Sequence, residues 1–139
     1  MFFDEAHRAL GAECDKSLVA EDAALHEPAR VCPRLAELGL LQLLVPANVG
    51  GGGWAHGGAG VDVRALAVAR EAIAYVSPLA DSIFAVQGLG SHPLVLAGEG
   101  ARRAGVLAEA VRGERVCAFA LTEPDAGSDV ASMRTTSRL

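Results

Sequence analysis

The first stretch, about Phe2 to Leu25, sets Phe3, Ala6, Leu10, Cys14 and Leu18 at steps of three and four, with Asp4, Arg8, Asp15 and Lys16 on the other side. At 3.6 residues per turn that spacing makes one apolar stripe, and it predicts an amphipathic helix. A second helix is predicted from Pro28, whose fixed φ and missing N–H suit a first helical turn, to Gly39, with Val31, Leu35 and Leu38 inward. The two are expected to pair as a helical hairpin. From Val61 to Val76 the period returns, with Leu66, Ala69, Ile73 and Val76 on one face and Arg64, Arg70 and Glu71 away from it. Ser77-Pro78 reads as an N-cap followed by a first-turn proline. Leu79, Ile83, Phe84 and Val86 leave the next helix with little polar surface, which predicts a central position and an end around Gly88 to Gly90. After a short turn at His92-Pro93, a last helix presents Ala104, Leu107, Ala108 and Val111, keeps Arg102, Arg103, Glu109 and Arg112 in water, and stops at Gly113.

Two segments break this rhythm. Residues 46–60, PANVGGGGWAHGGAG, are so rich in glycine that ordering their backbone is entropically costly, and a loop is expected. Gly50, Gly52 and Ala55 fit a weak dinucleotide-binding spacing, but more glycines follow where a helix is needed, so the loop reading is preferred. Trp54 is expected to anchor that loop by burial. Val116 to Thr122, VCAFALT, is a short apolar run without helical period, bounded by Glu123-Pro124, and it reads as a strand. A lone strand leaves its own backbone unpaired, so it must find a partner elsewhere. The expected fold is all-α: a helical bundle over residues 1–114, then over 115–139 the first strand and turn of an incomplete β-domain.

Composition narrows the classes. With 139 residues, 51% of them hydrophobic, the chain can bury one core. Its net charge of −5 and pI of about 5.3 argue against nucleic-acid or anionic-membrane partners, which call for a surplus of Lys and Arg on one face. Cys14, Cys32 and Cys117 are odd in number and far apart, which suits free, mostly buried thiols better than disulfides or a zinc site. His7, His26, His56 and His92 show no ligand spacing, so no metal is expected. Asp4 and Glu5 stand where a secretory leader would be basic, which predicts a cytoplasmic protein. The apolar run Leu38–Ala47, interrupted by Gln42, is well short of the roughly 20 residues of a membrane span.

Chemistry concentrates in Ala120–Asp129, ALTEPDAGSD. A strand would deliver the Thr122 hydroxyl and then turn. Pro124 ends strand pairing, Gly127 permits close backbone approach, and Ser128 offers N–H and O–H donors suited to a phosphate or a polar ring edge. Glu123 and Asp129 would repel a phosphate if they pointed inward, so they are expected to accept hydrogen bonds from loop N–H groups rather than act as bases.

The string CAFALTEPDAGSDVASMRTT is similar to the signature that acyl-CoA dehydrogenases carry where their helical amino-terminal domain meets a central β-domain. The order upstream resembles the family as well: a helix pair, LGLLQLLVPANVGG, the helical DVRALAVAREAIAYVSPLADS, then LAGEGARRAGVLAEAVRGE leading into the strand. Two departures stand out. The glycine loop with Trp54 and His56 is longer than the family's usual turn, and Asp125 stands where many members have glycine.

The resemblance implies FAD as cofactor, with Phe119, Leu121 and Thr122 lining the flavin ring and the Thr122 hydroxyl on its polar edge. Period-two alternation would put Thr122 on the face opposite Phe119 and Leu121. It also implies that Gly127 and Ser128 meet the cofactor, with Ser128 touching the acyl-CoA substrate. The implied reaction is α,β-dehydrogenation of an acyl thioester. Electrons would pass to an electron-transfer flavoprotein or another acceptor, and a full-length member is expected to be a homo-oligomer. The family's base lies in a carboxy-terminal helical bundle, so no catalytic residue is assigned among these 139 and the isolated chain is expected to be inactive. The alternative expectation is a non-catalytic helical module that pairs with a full-length relative or has no activity.

Overall fold

The computed structural model describes residues 3–52, 60–97 and 100–138. Trp54, Ala55 and His56, singled out above, lie outside the described residues. The chain folds as α1 (Glu5–Ser17), α2 (Pro28–Glu37), α3 (Val63–Val76), α4 (Pro78–Ala97) and α5 (Gly100–Val111), with short 3-10 turns at Ala23–His26, Leu40–Leu44, Ala47–Val49 and Val130–Ser132. Local chemistry explains the boundaries. The carboxylates of Asp4 and Asp62 accept from first-turn N–H groups of α1 and α3, which would otherwise lack partners. Pro28 occupies the first turn of α2, and Gly39 leaves that helix with a φ of 74° that favours glycine.

Helix α1 packs on α3, α3 on α4, and α2 and α5 on α4. The expected α1–α2 hairpin is therefore not formed. Leu18 turns α1 off into non-helical backbone, and the 3-10 turn Ala23–His26 packs on α2 in its place. At the centre sits the 3-10 turn Leu40–Leu44, which buries Leu40, Leu41, Leu43 and Leu44 against α2, α3, α4 and α5. Leu25, Val31, Leu35, Ile73, Phe84 and Leu107 complete one continuous core. All three cysteines are free; burial pushes each thiol up, and Cys14 and Cys32 are fully inside.

The Ser77 start of α4 is borne out and does double duty. Its hydroxyl donates to the Leu25 carbonyl at 2.6 Å and accepts from Ala80 N at 3.2 Å, which ties the helix start to the opposite side of the core. The expected end near Gly88–Gly90 and the turn at His92-Pro93 are corrected: α4 continues to Ala97. Its glycines are contact points rather than breakers. A Cβ on Gly88 would lie 2.9 Å from Leu44, and one on Gly90 would lie 2.7 Å from the Ala118 backbone. Helix α5 likewise buries Leu107 and Ala110, with Ala104 exposed.

Residues Val116–Thr122 form no strand, and no sheet is present among the described residues. The reason is the one that made a lone strand problematic: none of the described segments offers a row of backbone partners. Only an isolated bridge between Glu123 and Ala126 forms.

A buried polar staple joins the starts of α1 and α3. His7 Nδ1 lies 2.6 Å from Asp4 Oδ1 and Nε2 lies 3.1 Å from Asp62 Oδ2. Burial works to raise the Asp62 pKa, but it is outweighed by the Arg64 side chain, the Arg64 and Ala65 N–H groups and His7, which together bring it down to about 2. A carboxyl lowered by folding stabilises the native state above its unfolded value, 3.8, and that contribution disappears as pH falls through about 2. Thermal melts between those two pH values are expected to show a shallower acid loss in Asp62→Asn than in the parent. Parallel curves would refute the assignment.

Candidate functional site

Helix α5 ends at Val111, Gly113 turns the chain with a φ of 72°, and the N–H groups of Glu114 and Arg115 fold back onto the Glu109 carbonyl at 3.0 and 3.3 Å. The chain then crosses α4, where the Gln87 carboxamide meets it. Its Nε2 donates to the carbonyls of Ala110 at 3.1 Å and Arg115 at 2.8 Å, and its Oε1 accepts from Cys117 N at 2.8 Å. Gly90, one turn on, lets the Ala118 backbone approach the helix. Past this crossing the segment opens to solvent.

Phe119 is 42% exposed, Leu121 is half-buried, and Thr122, Gly127 and Ser128 are exposed. The Thr122 and Ser128 hydroxyls make no hydrogen bond among the described residues, and a Cβ on Gly127 would meet nothing within 4 Å. These five residues thus lie along one short stretch with free apolar surface and free donors. Such a surface suits a flat ring with a polar rim.

The turn beneath them is built from its own acids. Glu123 N donates to the Ala126 carbonyl at 2.8 Å, and Ala126 N returns to Glu123 O at 3.3 Å, with Ala126 buried. The Glu123 carboxylate accepts from Arg134 N at 2.8 Å, Thr135 N at 2.9 Å and the Thr135 hydroxyl, so the tail folds back over the turn. Those bonds, the Thr135 hydroxyl first, hold Glu123 below the usual carboxylate range. Asp129 accepts from the Ser132 hydroxyl at 2.5 Å, and Asp125 lies 3.4 Å from the Arg134 guanidinium. Glu123 meets the expectation of a structural acceptor for loop N–H groups; Asp129 departs from it, since its carboxylate accepts from the Ser132 hydroxyl and from no loop N–H among the described residues.

The sequence pattern did not single out Gln87, and it marked Gly90 only as part of a helix end. A signal existed: Ala80, Phe84, Gln87 and Ser91 recur at steps of four, three and four, and these are the residues α4 buries. The exposed Val86 and Leu89 masked that face. Elsewhere, an open groove of about 630 Å³ runs between α1 and α3 past Cys14, Asp15, Glu71 and Tyr75, and no residue of 119–128 lines it. Among the described residues no three His, Cys, Asp or Glu side chains gather to hold a metal ion, and no helix is long and apolar enough to cross a membrane.

Residues 1–114 match the family described as acyl-CoA dehydrogenase, N-terminal domain. Over 147 aligned residues the chain is 31% identical to a 3-(aryl)acrylate reductase of Clostridium sporogenes, covering 99% of this chain and 37% of that protein. It is 35% identical over 127 residues to a benzylmalonyl-CoA dehydrogenase of Aromatoleum aromaticum, covering 88% and 32%. With the caffeyl-CoA reductase-Etf complex subunit CarC of Acetobacterium woodii it shares 31% over 110 residues, covering 78% and 27%. The chain thus matches only 27–37% of the length of these three relatives. With five α-helices among the described residues ordered as above, a family match over residues 1–114 and relatives named as a benzylmalonyl-CoA dehydrogenase and a caffeyl-CoA reductase-Etf complex subunit, the chain belongs to the acyl-CoA dehydrogenase family.

Proposed function

We propose that this chain contributes to an FAD-dependent enzyme that desaturates acyl-CoA thioesters between the α and β carbons, with residues 1–114 as its helical domain and 115–139 as the start of its cofactor-contacting β-domain. One observation carries the reading: the segment 119–128, whose sequence resembles the family's flavin signature, keeps an open side with apolar surface next to unengaged hydroxyls. That chemistry fits an isoalloxazine ring. Phe119 and Leu121 supply apolar contact, Thr122 supplies a donor or acceptor at the ring edge, and Gly127 leaves room for Ser128 to reach both cofactor and thioester.

When bound, the flavin would accept the hydride leaving the β-carbon. The chain's own residues orient and shield: Phe119 and Leu121 exclude water from the ring face, and Thr122 fixes its rotation. No proton acceptor is assigned here, because the acids of the turn are committed to backbone, hydroxyl and guanidinium donors. That role is assigned to residues beyond these. The relative named as a subunit of an Etf complex supports transfer of the electrons to an electron-transfer flavoprotein.

Titration of the purified chain with FAD, read by quenching of flavin fluorescence, tests the reading. Thr122→Val keeps the shape, loses the hydroxyl and is expected to weaken binding about threefold to tenfold. Unchanged binding in the variant would remove Thr122 from the site, and failure of the parent to bind at all would remove flavin contact from this chain. Addition of an acyl-CoA is expected to leave the bound flavin oxidised. Bleaching would overturn the assignment of the base to residues beyond these.

A further inference from the structure

Helix α4 is the most apolar helix of the chain, yet its inward face carries Gln87, which is 2% exposed, with Phe84 and Ser91 on either side of it. A carboxamide taken out of water needs its hydrogen-bonding capacity met. Here both Nε2 protons reach main-chain carbonyls, Ala110 at the end of α5 and Arg115 in the crossing, while Oε1 receives the Cys117 N–H. The amide can sit only one way round: reversed, its oxygen would face two carbonyls and its nitrogen an N–H. The Cys32 thiol, 4.0 Å from Oε1, approaches the same oxygen from α2. None of the three short bonds reaches another side chain. Together they define where α5 releases the chain and how it enters residues 117–122.

Gly90 adds an independent constraint on the same segment. A Cβ there would stand 2.7 Å from Ala118 N, 2.8 Å from Ala118 O and 2.9 Å from Ala118 C, all backbone atoms with no flexible end to yield. Gly90 lies three residues after Gln87, on the same side of the helix. Phe119, the first residue of the candidate ring-binding stretch, follows immediately.

We propose that Gln87 and Gly90 form a seat on α4 that sets the position of Cys117–Thr122, and that they are positioning residues for the cofactor-facing surface without touching the cofactor. The last clause rests on the flavin reading above; the seat itself does not. The mechanism is geometric. Phe119, Leu121 and Thr122 have no sheet to register them among the described residues, so their placement relative to the helical domain comes from the crossing just before them. A loosened crossing leaves those side chains present but misaligned, and a misplacement of about an ångström is costly in a site that works by orientation.

Two variants test this in different ways. Gln87→Glu preserves the shape but replaces the two-proton donor with a carboxylate oxygen facing two carbonyls; a protonated carboxyl restores only one of those donors. Gly90→Ala favours the helix locally while pushing Ala118 outward, so loss of helix cannot explain its effect. Two readouts are taken on the chain and both variants: amide hydrogen exchange at Cys117 with NMR shifts of residues 119–122, and FAD affinity by fluorescence quenching.

In both variants the helical circular dichroism is expected to persist. Exchange at Cys117 is expected to accelerate about tenfold or more in Gln87→Glu, with partial recovery on acidification as the carboxyl regains a proton. FAD affinity is expected to fall about tenfold in both. Unchanged Cys117 exchange and unchanged shifts at 119–122 in both variants would overturn the seat. Altered exchange and shifts with undiminished FAD binding would show that the segment is seated but that its position does not serve the flavin. Should Gln87→Glu fail to fold, Gly90→Ala alone decides through the same shifts. Absence of FAD binding in the parent defeats the flavin reading, and the exchange data still judge the seat.

Discussion

Replacing Phe84 by alanine is expected to lower the free energy of unfolding by about 3–5 kcal/mol, the range for deleting a fully enclosed aromatic ring. Phe84 is 1% exposed and heads the fully buried side chains by volume. It belongs to the same core cluster as Leu25, Leu35, Leu41 and Leu107, residues brought in by four different segments. Those residues are fixed within their own helices and 3-10 turns, so they can close only part of the space left behind, and a cavity adds to the lost transfer energy. Urea unfolding followed by circular dichroism checks it: the midpoint should fall with little change in slope. A loss below about 1 kcal/mol would mean that the ring is not enclosed as described, because even truncating a buried leucine to alanine costs about 2 kcal/mol or more.

Gly113→Ala is expected to cost about 2–4 kcal/mol, combining a left-handed backbone on a residue with a Cβ with a steric overlap. Gly113 has a φ of 72°, and a Cβ there would lie 2.6 Å from the Cys32 carbonyl oxygen, 2.8 Å from its carbon and 3.0 Å from Pro33 Cα. The end of α5 is thus pressed against the backbone of α2. Gly39 supplies the internal control. Its φ is 74°, yet a Cβ there would meet nothing within 4 Å, so Gly39→Ala should cost only the conformational strain, about 1–2 kcal/mol. Equal losses at the two positions in parallel denaturation would refute the close approach of α5 to α2. Because Gly113 is also where α5 hands the chain to the Gln87 crossing, the variant should shift the Cys117 amide resonance while Gly39→Ala leaves it in place.

Much of the bundle was legible because helix signals are local. Pro28, Gly39, Ser77-Pro78 and Gly113 marked boundaries through properties of single residues: a fixed φ, a tolerated positive φ, a hydroxyl beside free N–H groups. The helix end assigned to Gly88–Gly90 was misread for the same reason. Glycine lowers helix propensity locally, but here the absence of a Cβ lets Leu44 and Ala118 press against the helix, and burial outweighs propensity. The candidate site was legible only as an ordered string of residue types. That Phe119 lies half open, that the Thr122 and Ser128 hydroxyls bond to nothing among the described residues and that Glu123 is spent on Arg134 and Thr135 are properties of position in space.

By itself the sequence determined that this is a helical chain of the acyl-CoA dehydrogenase type, where α2 and α4 begin and where α2 and α3 stop, and which short stretch is the candidate site. Periodicity and capping act over a few residues and need no knowledge of neighbours. Only the tertiary structure decided which helices pair and which face of α4 turns inward. It put Gln87 inside while Val86 and Leu89 stayed out, because three main-chain groups from α5 and the crossing converge on that one carboxamide. Hydrophobicity ranks residues one at a time, whereas satisfying a buried polar group depends on what the rest of the chain brings to it.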